Sequence, residues 1–501
     1  MQYKQGTQIG LDEELKALIT EVNIHAGHQD TEQVMVSINK IEDKLKLINE
    51  SQMNTSTTFK SLITLATYYK NKSNYGAAAH NFRKALNLVG KLNEEDGAHI
   101  IDAYLKHAAL EREYAQEKKA RMILAKLLYW LDKKRPEDET AYGLVYSHLG
   151  KLFLDEEDIA SGIDHMKKAL AYFSKNLPEN HPLRIETIHA ISKAYIKMED
   201  YDNALALYQN QLKNVNQEKD KETYGKTMLN IGEVYYYIDL RKAHNTILEA
   251  KNIFLSLDDT AEELLMKAYL MLGELEESIK NDMQAIHYYD SALQVMKNQS
   301  QAVLTYVKLG MLSLRSKQFD QAKKYLEKGL PLSVHLPRIR AQFLLYLGKA
   351  HSQEQAFAKA NSLYTKLLKL LEQQGHKTSK NYGNTLQAIA ANFSKQEKWK
   401  QALPYYDEAL SIYKQLSITG KDVEIGTTYI HLAFCQEKLA ESSKEGIEKC
   451  YDKGYEMMKT TNDVRLKEEA LSMIIEFYTR QGQLAKKEDY ENELAKIQSL
   501  V

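Results

Sequence analysis

The 501-residue sequence predicts an all-α fold, a solenoid of stacked helical hairpins, from three observations. Apolar residues recur three and four positions apart over most of the chain, which is the spacing of one helix face. Turn residues are scarce, with 22 glycines and only 6 prolines. One pattern of small and large side chains also recurs about every 40 residues, as stacked repeat proteins do.

The repeating pattern is clearest in residues 384–416. Ala390 and Phe393 lie on a first helix, and Ala402, Tyr406 and Ala409 follow on a second helix. In related copies, one position of each first helix usually holds a small residue, and we call this position the small slot. Successive small slots are 37 to 43 residues apart. The slot residues are Ala66, Ala108, Gly150, Ser192, Gly232, Gly273, Gly310, Gly348, Ala390, Ala433 and Ile475, the last in a poor copy.

Helix geometry explains why these slots are small. A small residue lets a neighbouring helix approach closely, and a large aromatic residue fills the space beside it. We therefore expect the small residue of the first helix to face the second helix of its own hairpin. Second-helix residues equivalent to Ala409 should contact the next hairpin. This interpretation requires the second-helix alanines to be buried, namely Ala78, Ala204, Ala360 and Ala402.

These slots resemble the tetratricopeptide repeat (TPR) over roughly residues 58–495. The period near 42 residues resembles the kinesin light chain subtype, as do Pro404 in ALPYY and His181-Pro182 in LPENHPLRIETIHAISKAY. Only Asn230 clearly keeps the asparagine character that this subtype carries just before the small slot. The resemblance implies a right-handed superhelix, an α-solenoid of about ten to eleven helix pairs.

The sequence divides into three parts by the quality of the repeats. Residues 1–57 are expected to form an N-terminal helix pair that acts as a cap or a degenerate repeat, and residues 51–58, SQMNTSTT, a polar turn. Residues 58–470 are expected to form the TPR solenoid, and residues 471–501 a C-terminal degenerate repeat or capping helices.

Composition and motifs argue against several classes of function. Lys plus Arg (67) nearly equals Asp plus Glu (68), so we expect no nucleic-acid partner. No apolar run has the ~18–20 residues that span a bilayer, so we expect no membrane insertion. Two cysteines and no signal-type start favour a cytoplasmic location. No phosphate loop, dinucleotide turn, nucleophile elbow or paired-cysteine motif is present, so we expect no enzyme activity and no cofactor or metal.

A few residues could be interpreted as chemical groups, but each has a simpler structural interpretation. His25 and His28 have ligand-like spacing, yet the glycine between them indicates the end of a helix. Cys435 and Cys450 are expected to pack as small apolar groups.

The candidate partner-binding surface lies on the first helices, which line the inner face of a TPR superhelix. Around Gly310 it forms an apolar stripe, and neighbouring repeats extend it. Its residues are Leu304, Val307, Met311 and Leu314, with Leu270, Leu345 and Lys349 nearby and Lys151 and Lys193 further upstream. Alternatively, Leu304 and Val307 pack against a neighbouring turn of the solenoid.

These features predict a non-catalytic protein-interaction scaffold that binds a peptide or a helical partner along the superhelix. One alternative is a peptide-responsive regulator that resembles the bacterial Rap type, and another is a structural subunit of a ciliary or transport assembly. The Lys/Asn clamp of cochaperone TPR domains is missing, so we expect no tight binding to a chaperone tail. The oligomeric state stays open.

Overall fold

The computed structural model describes residues 2–47, 54–257, 261–417, 422–440, 443–459, 461 and 463–498. Within these ranges the chain forms 24 α-helices and no strand, which confirms the all-α prediction. The chain divides into two compact units, residues 1–257 and residues 258–501.

The first unit contains twelve helices, which pair in chain order. They are α1 (Gln2–Gly27), α2 (Thr31–Leu47), α3 (Thr55–Asn71), α4 (Tyr75–Leu86), α5 (Gly97–Glu113), α6 (Glu117–Lys134), α7 (Glu139–Asp155), α8 (Ile159–Asn176), α9 (Pro182–Lys197), α10 (Tyr201–Asn214), α11 (Lys221–Tyr236) and α12 (Leu240–Leu255). Odd-numbered helices are the first helices of their pairs, and each second helix contacts the first helix of the next pair in the unit.

The second unit repeats this arrangement. Its helices are α13 (Glu262–Ser278), α14 (Asp282–Val295), α15 (Gln299–Arg315), α16 (Phe319–Gly329), α17 (Pro337–Gln353), α18 (Phe357–Gln373), α19 (Lys380–Lys395), α20 (Trp399–Leu416), α21 (Val423–Leu439), α22 (Lys444–Met458), α23 (Val464–Gln481) and α24 (Leu484–Gln498). Eleven pairs therefore follow the N-terminal pair, in agreement with the expected number of repeats.

The predicted boundaries at residues 57 and 470 fall inside α3 and α23, and the three-part division of the chain remains a prediction. The predicted polar turn lies partly outside the described residues, which resume at Asn54. The Asn54 side chain accepts hydrogen bonds from the backbone N–H groups of Ser56 and Thr57, and so caps α3.

The small slots are the points where the two helices of a pair touch. A Cβ atom added to Gly310 would lie 2.3 Å from Leu326 Cδ2, and one added to Gly348 would lie 2.3 Å from Tyr364 Cε1. In both pairs the contacted side chain lies on the second helix, sixteen residues further along the chain. The second-helix alanines Ala78, Ala204, Ala360 and Ala402 are all 0% exposed, as the packing interpretation requires.

The turn inside each hairpin also repeats. Among the described residues, ten that are not glycine adopt the left-handed conformation, and nine of these lie seven positions after a small slot, with φ between 51° and 64°. In the turn after α19, for example, Glu397 has φ 58°, and the N–H of Lys398 donates to the carbonyl of Phe393 at 3.0 Å. This bond closes the first helix and directs the chain back along it.

Among the described helices, none is both long enough and apolar enough to cross a lipid bilayer.

Candidate functional site

The candidate site lies on three first helices of the second unit, α13, α15 and α17. Its centre is the ammonium group of Lys308 on α15. Lys308 Nζ donates to the hydroxyl of Tyr289 at 2.9 Å, and lies 3.3 Å from Glu277 Oε2 and 3.4 Å from Glu274 Oε1. The Tyr289 hydroxyl donates to Glu277 Oε2 at 2.9 Å. Charge-assisted bonds therefore join α13, α14 and α15.

Two side chains of α17 extend the polar surface. Lys349 Nζ lies 5.7 Å from the centre of the Tyr346 ring. Lys349 is accessible to solvent, but partial desolvation by the surrounding protein lowers the pKa of its ammonium group. Burial raises the pKa of Tyr346, and the negative charge of Glu277 on α13 adds to this effect. The polar groups of the three first helices thus share one electrostatic environment.

The structure separates the predicted apolar stripe into exposed and buried residues. Leu304 is 57% exposed, which leaves it available to a partner. Four others are partly buried and contact the core, namely Leu270, Met311, Leu314 and Leu345.

The prediction that Val307 belongs to the partner surface needs correction. Val307 is only 7% exposed and belongs to a core cluster with Leu326 and Phe343. It lies three residues before Gly310, so it shares the helix face that packs against α16. The alternative of internal packing therefore holds for Val307, whereas Leu304 is exposed.

The two upstream lysines lie in the first unit. Lys193 on α9 forms an ion pair with Glu233 on α11. Lys151 is partly buried near His148, whose pKa falls to about 4, chiefly through burial and then through the positive charge of Lys151. Lys193 thus has a partner inside the first unit and Lys151 lies near His148, and a partner-binding role for the two lysines remains a prediction.

A groove on α6 was not identified from the sequence. It has a volume of 490 Å³ and is lined by aromatic and lysine side chains, among them Tyr129, Trp130 and Lys133. The signal was the stretch KLLYWLDKK in α6, where two adjacent aromatic residues lie between lysines. Helical periodicity alone could not show that Tyr129 points outward, because this repeat is degenerate.

Family comparison agrees with the repeat geometry. Two models described as "Tetratricopeptide repeat" match residues 187–222 and 304–332. This chain contains tetratricopeptide repeats. The first match covers parts of α9 and α11 with α10 between them, and the second covers most of α15 with α16. The predicted TPR identity is thereby confirmed.

A search of curated proteins with the sequence of this TPR protein gave no match. Solved structures with a similar fold include the apo form of the quorum sensor NprR from B. thuringiensis, with 14% identity over 80% of this chain and 99% of that chain, at a TM-score of 0.40. The apo form of RapI has 13% identity over 80% of this chain and 98% of that chain, at a TM-score of 0.41. A structure of putative kinesin light chain TPR-like repeats from Podosopora anserina has 13% identity over 40% of this chain and 97% of that chain, at a TM-score of 0.35. Identity and TM-score are low throughout, so these structures indicate nothing about a partner.

The residues considered for chemistry have structural surroundings in this TPR protein. Cys435 is buried with its Sγ atom 3.3 Å from Ser394 Oγ, and Cys450 is partly buried. Burial raises the pKa of both thiols, which lowers the fraction of reactive thiolate. His25 lies in the last turn of α1, which ends at Gly27. No cluster of three or more potential metal ligands occurs among the residues that the structure describes.

Proposed function

We propose that this TPR protein is a non-catalytic scaffold that binds a peptide or a helical segment of another protein along the first helices of its second unit. The exposed Leu304 supports this proposal most directly. Lys308 follows it by four residues and Met311 by seven, so the three side chains lie along one face of α15. An apolar side chain beside charged groups is a common arrangement at protein-interaction surfaces.

The neighbouring first helices supply polar groups for the same partner. Glu274 is 3.4 Å from the Lys308 ammonium group, and Lys349 on α17 is exposed. We infer that the partner covers Leu304 with an apolar side chain and forms hydrogen bonds with these charged groups. Burying a leucine contributes about 1.5–3 kcal/mol, so loss of this contact should weaken binding roughly ten- to hundredfold.

The narrower alternatives are a Rap-like peptide-responsive regulator and a subunit of a ciliary or transport assembly. Both need a partner surface of this kind, and no residue of the site favours one of them. We also propose a cytoplasmic location, which the low cysteine content and the two free thiols support.

The proposal is tested by comparing two substitutions of exposed leucines in the same unit. Leu304→Asp changes the candidate surface, and Leu484→Asp changes an exposed leucine of α24, which is 73% exposed. Both variants should retain their helical circular dichroism. A photo-crosslinking residue at position 304, but not at 484, should capture a specific protein from the native cell.

Isothermal titration of the captured protein should then show weaker binding to Leu304→Asp and unchanged binding to Leu484→Asp. Equal affinity for Leu304→Asp and the unmodified chain would contradict the proposal.

A further inference from the structure

Large apolar side chains of α6 are exposed at the groove and elsewhere on the same helix face. Tyr129 is 67% exposed, and Met122, seven residues earlier on the same helix face, is 56% exposed. Trp130 is partly buried at the side of the groove, and the buried Tyr104 of α5 contributes to its lining. Large exposed aromatic side chains that border a cavity are typical of recognition surfaces.

The same groove carries uncompensated positive charge. Lys126, Lys133 and Lys134 line it, and none of them forms an ion pair within the described part of the chain. The nearest acidic group in the sequence, Asp132, accepts a hydrogen bond from the Tyr142 hydroxyl at 2.6 Å. Lys133 Nζ lies 5.9 Å from the centre of the Tyr129 ring, so positive charge and aromatic surface are adjacent.

We propose that this groove binds an acidic peptide segment of a partner protein. An aliphatic or aromatic side chain of the segment contacts Tyr129 and Trp130, and carboxylates on either side pair with the three lysines. The cavity of 490 Å³ suits one or two side chains, within the range of ligand pockets. The proposal concerns the first unit and does not depend on the function proposed for Leu304.

A peptide fits this groove better than a nucleic acid does. Three lysines line it, which neutralise only a few of the successive phosphates of a nucleic acid. The chain as a whole has a net charge of −1, so it lacks the overall positive charge that is common in nucleic-acid-binding domains.

The chain provides its own reporter for a test. It contains two tryptophans, Trp130 in the groove and Trp399, whose ring lies edge-on to Phe434 in the second unit. Trp399→Phe therefore leaves Trp130 as the single tryptophan. We would titrate this full-length variant with a short synthetic peptide that alternates glutamate and leucine. Its emission should change saturably.

Charge reversal then locates the binding site. Lys133→Glu with Lys134→Glu should weaken binding about tenfold or more. Lys118→Glu with Lys119→Glu is the matched control, because these exposed lysines lie on the same helix, outside the groove, and change the net charge equally. The control should change the affinity by less than about threefold. Circular dichroism should show all variants folded.

The peptide chemistry is tested by three further ligands. A peptide of glutamate and serine should bind more weakly because it lacks the apolar side chains, and a peptide of lysine and leucine should not bind. Tyr129→Ser should weaken binding of the glutamate–leucine peptide. The proposal would be overturned if the peptide left the Trp130 emission unchanged, or if the two double-lysine variants lost peptide affinity equally. Tighter binding of oligothymidylate than of any peptide would replace it with a nucleic-acid site.

Discussion

Replacing Gly310 by alanine tests the principle on which the repeats are built. A methyl group at this position would lie 2.3 Å from Leu326 Cδ2 and 2.4 Å from Leu326 Cγ. Carbon atoms in good contact lie about 3.5–4.0 Å apart, so either Leu326 or the whole of α16 must move. Leu326 is 0% exposed, so protein atoms surround its side chain.

The expected magnitude is the difference between two opposing effects. Alanine stabilises a helix interior relative to glycine by about 1 kcal/mol, whereas overpacking a well-packed core costs about 1–3 kcal/mol. Because the overlap here exceeds 1 Å on two atoms of a fully buried side chain, we expect a net loss of about 1–2 kcal/mol. Gly76→Ala on α4 is the control, because the nearest atom to its Cβ is Asn74 Oδ1 at 3.9 Å. It should be neutral or stabilising.

Hydrogen exchange with mass spectrometry is the suitable assay, because stacked repeats open locally and the method reports the opening of individual helices. Amides of α15 and α16 should exchange faster in Gly310→Ala. Leu326→Ala alone should cost about 2–5 kcal/mol. The variant with both Gly310→Ala and Leu326→Ala should lose less stability than the sum of the two single losses, because the new methyl group occupies part of the space left by Leu326. If Gly310→Ala is as harmless as Gly76→Ala, the slot interpretation is wrong.

Three more predictions concern single sites. Ala402→Asp should destabilise the α19–α20 pair by several kcal/mol, because it places a charge at a fully buried position. Thermal melting should show this loss, and the control Gln401→Asp, at an exposed position, should melt nearly as the unmodified chain does. The pKa of His148 is about 4 in the folded chain, below the ordinary value of 6.5 that applies to the unfolded chain. Between these two pH values the unfolded chain binds the proton more tightly, so acid favours unfolding. Stability should fall by about 3 kcal/mol as the pH drops from 6.5 to 4. His148→Gln should flatten this acid dependence in urea melts, and an unchanged profile would contradict the assigned burial. Iodoacetamide should alkylate Cys450 before Cys435, which is 0% exposed, as peptide mass mapping would show; equal rates would exclude the described burial.

The sequence was sufficient to predict the contacts that depend on fixed spacing. Gly348 meets Tyr364 because both helices and the turn between them keep their lengths from one repeat to the next. The ion pair of Lys193 with Glu233 was not predicted, but it follows the same spacing, since each residue comes directly after the small slot of its own repeat. Equivalent positions of successive first helices therefore meet, although the two residues are forty positions apart.

The candidate site was predicted less completely, because exposure depends on which side of a helix already has a neighbour. Val307 and Leu304 are both apolar and lie on one turn of α15, yet only Leu304 is exposed. The sequence analysis placed both residues in the surface, although Val307 shares the helix face of Gly310 that packs against α16. The groove at Tyr129 was missed for a different reason, since an aromatic residue in a degenerate repeat has the same helical spacing whether it fills the core or faces solvent.

The nine left-handed turn residues have a consequence for engineering this scaffold. A side chain in that conformation costs about 1–2 kcal/mol, and glycine avoids this cost in exchange for a more flexible unfolded chain. Glycine at a position such as Glu397 should therefore strengthen its hairpin modestly without changing a helix face. Because the stability of stacked repeats accumulates from one neighbour to the next, substitutions at several turns could yield a more heat-resistant protein with every binding surface intact.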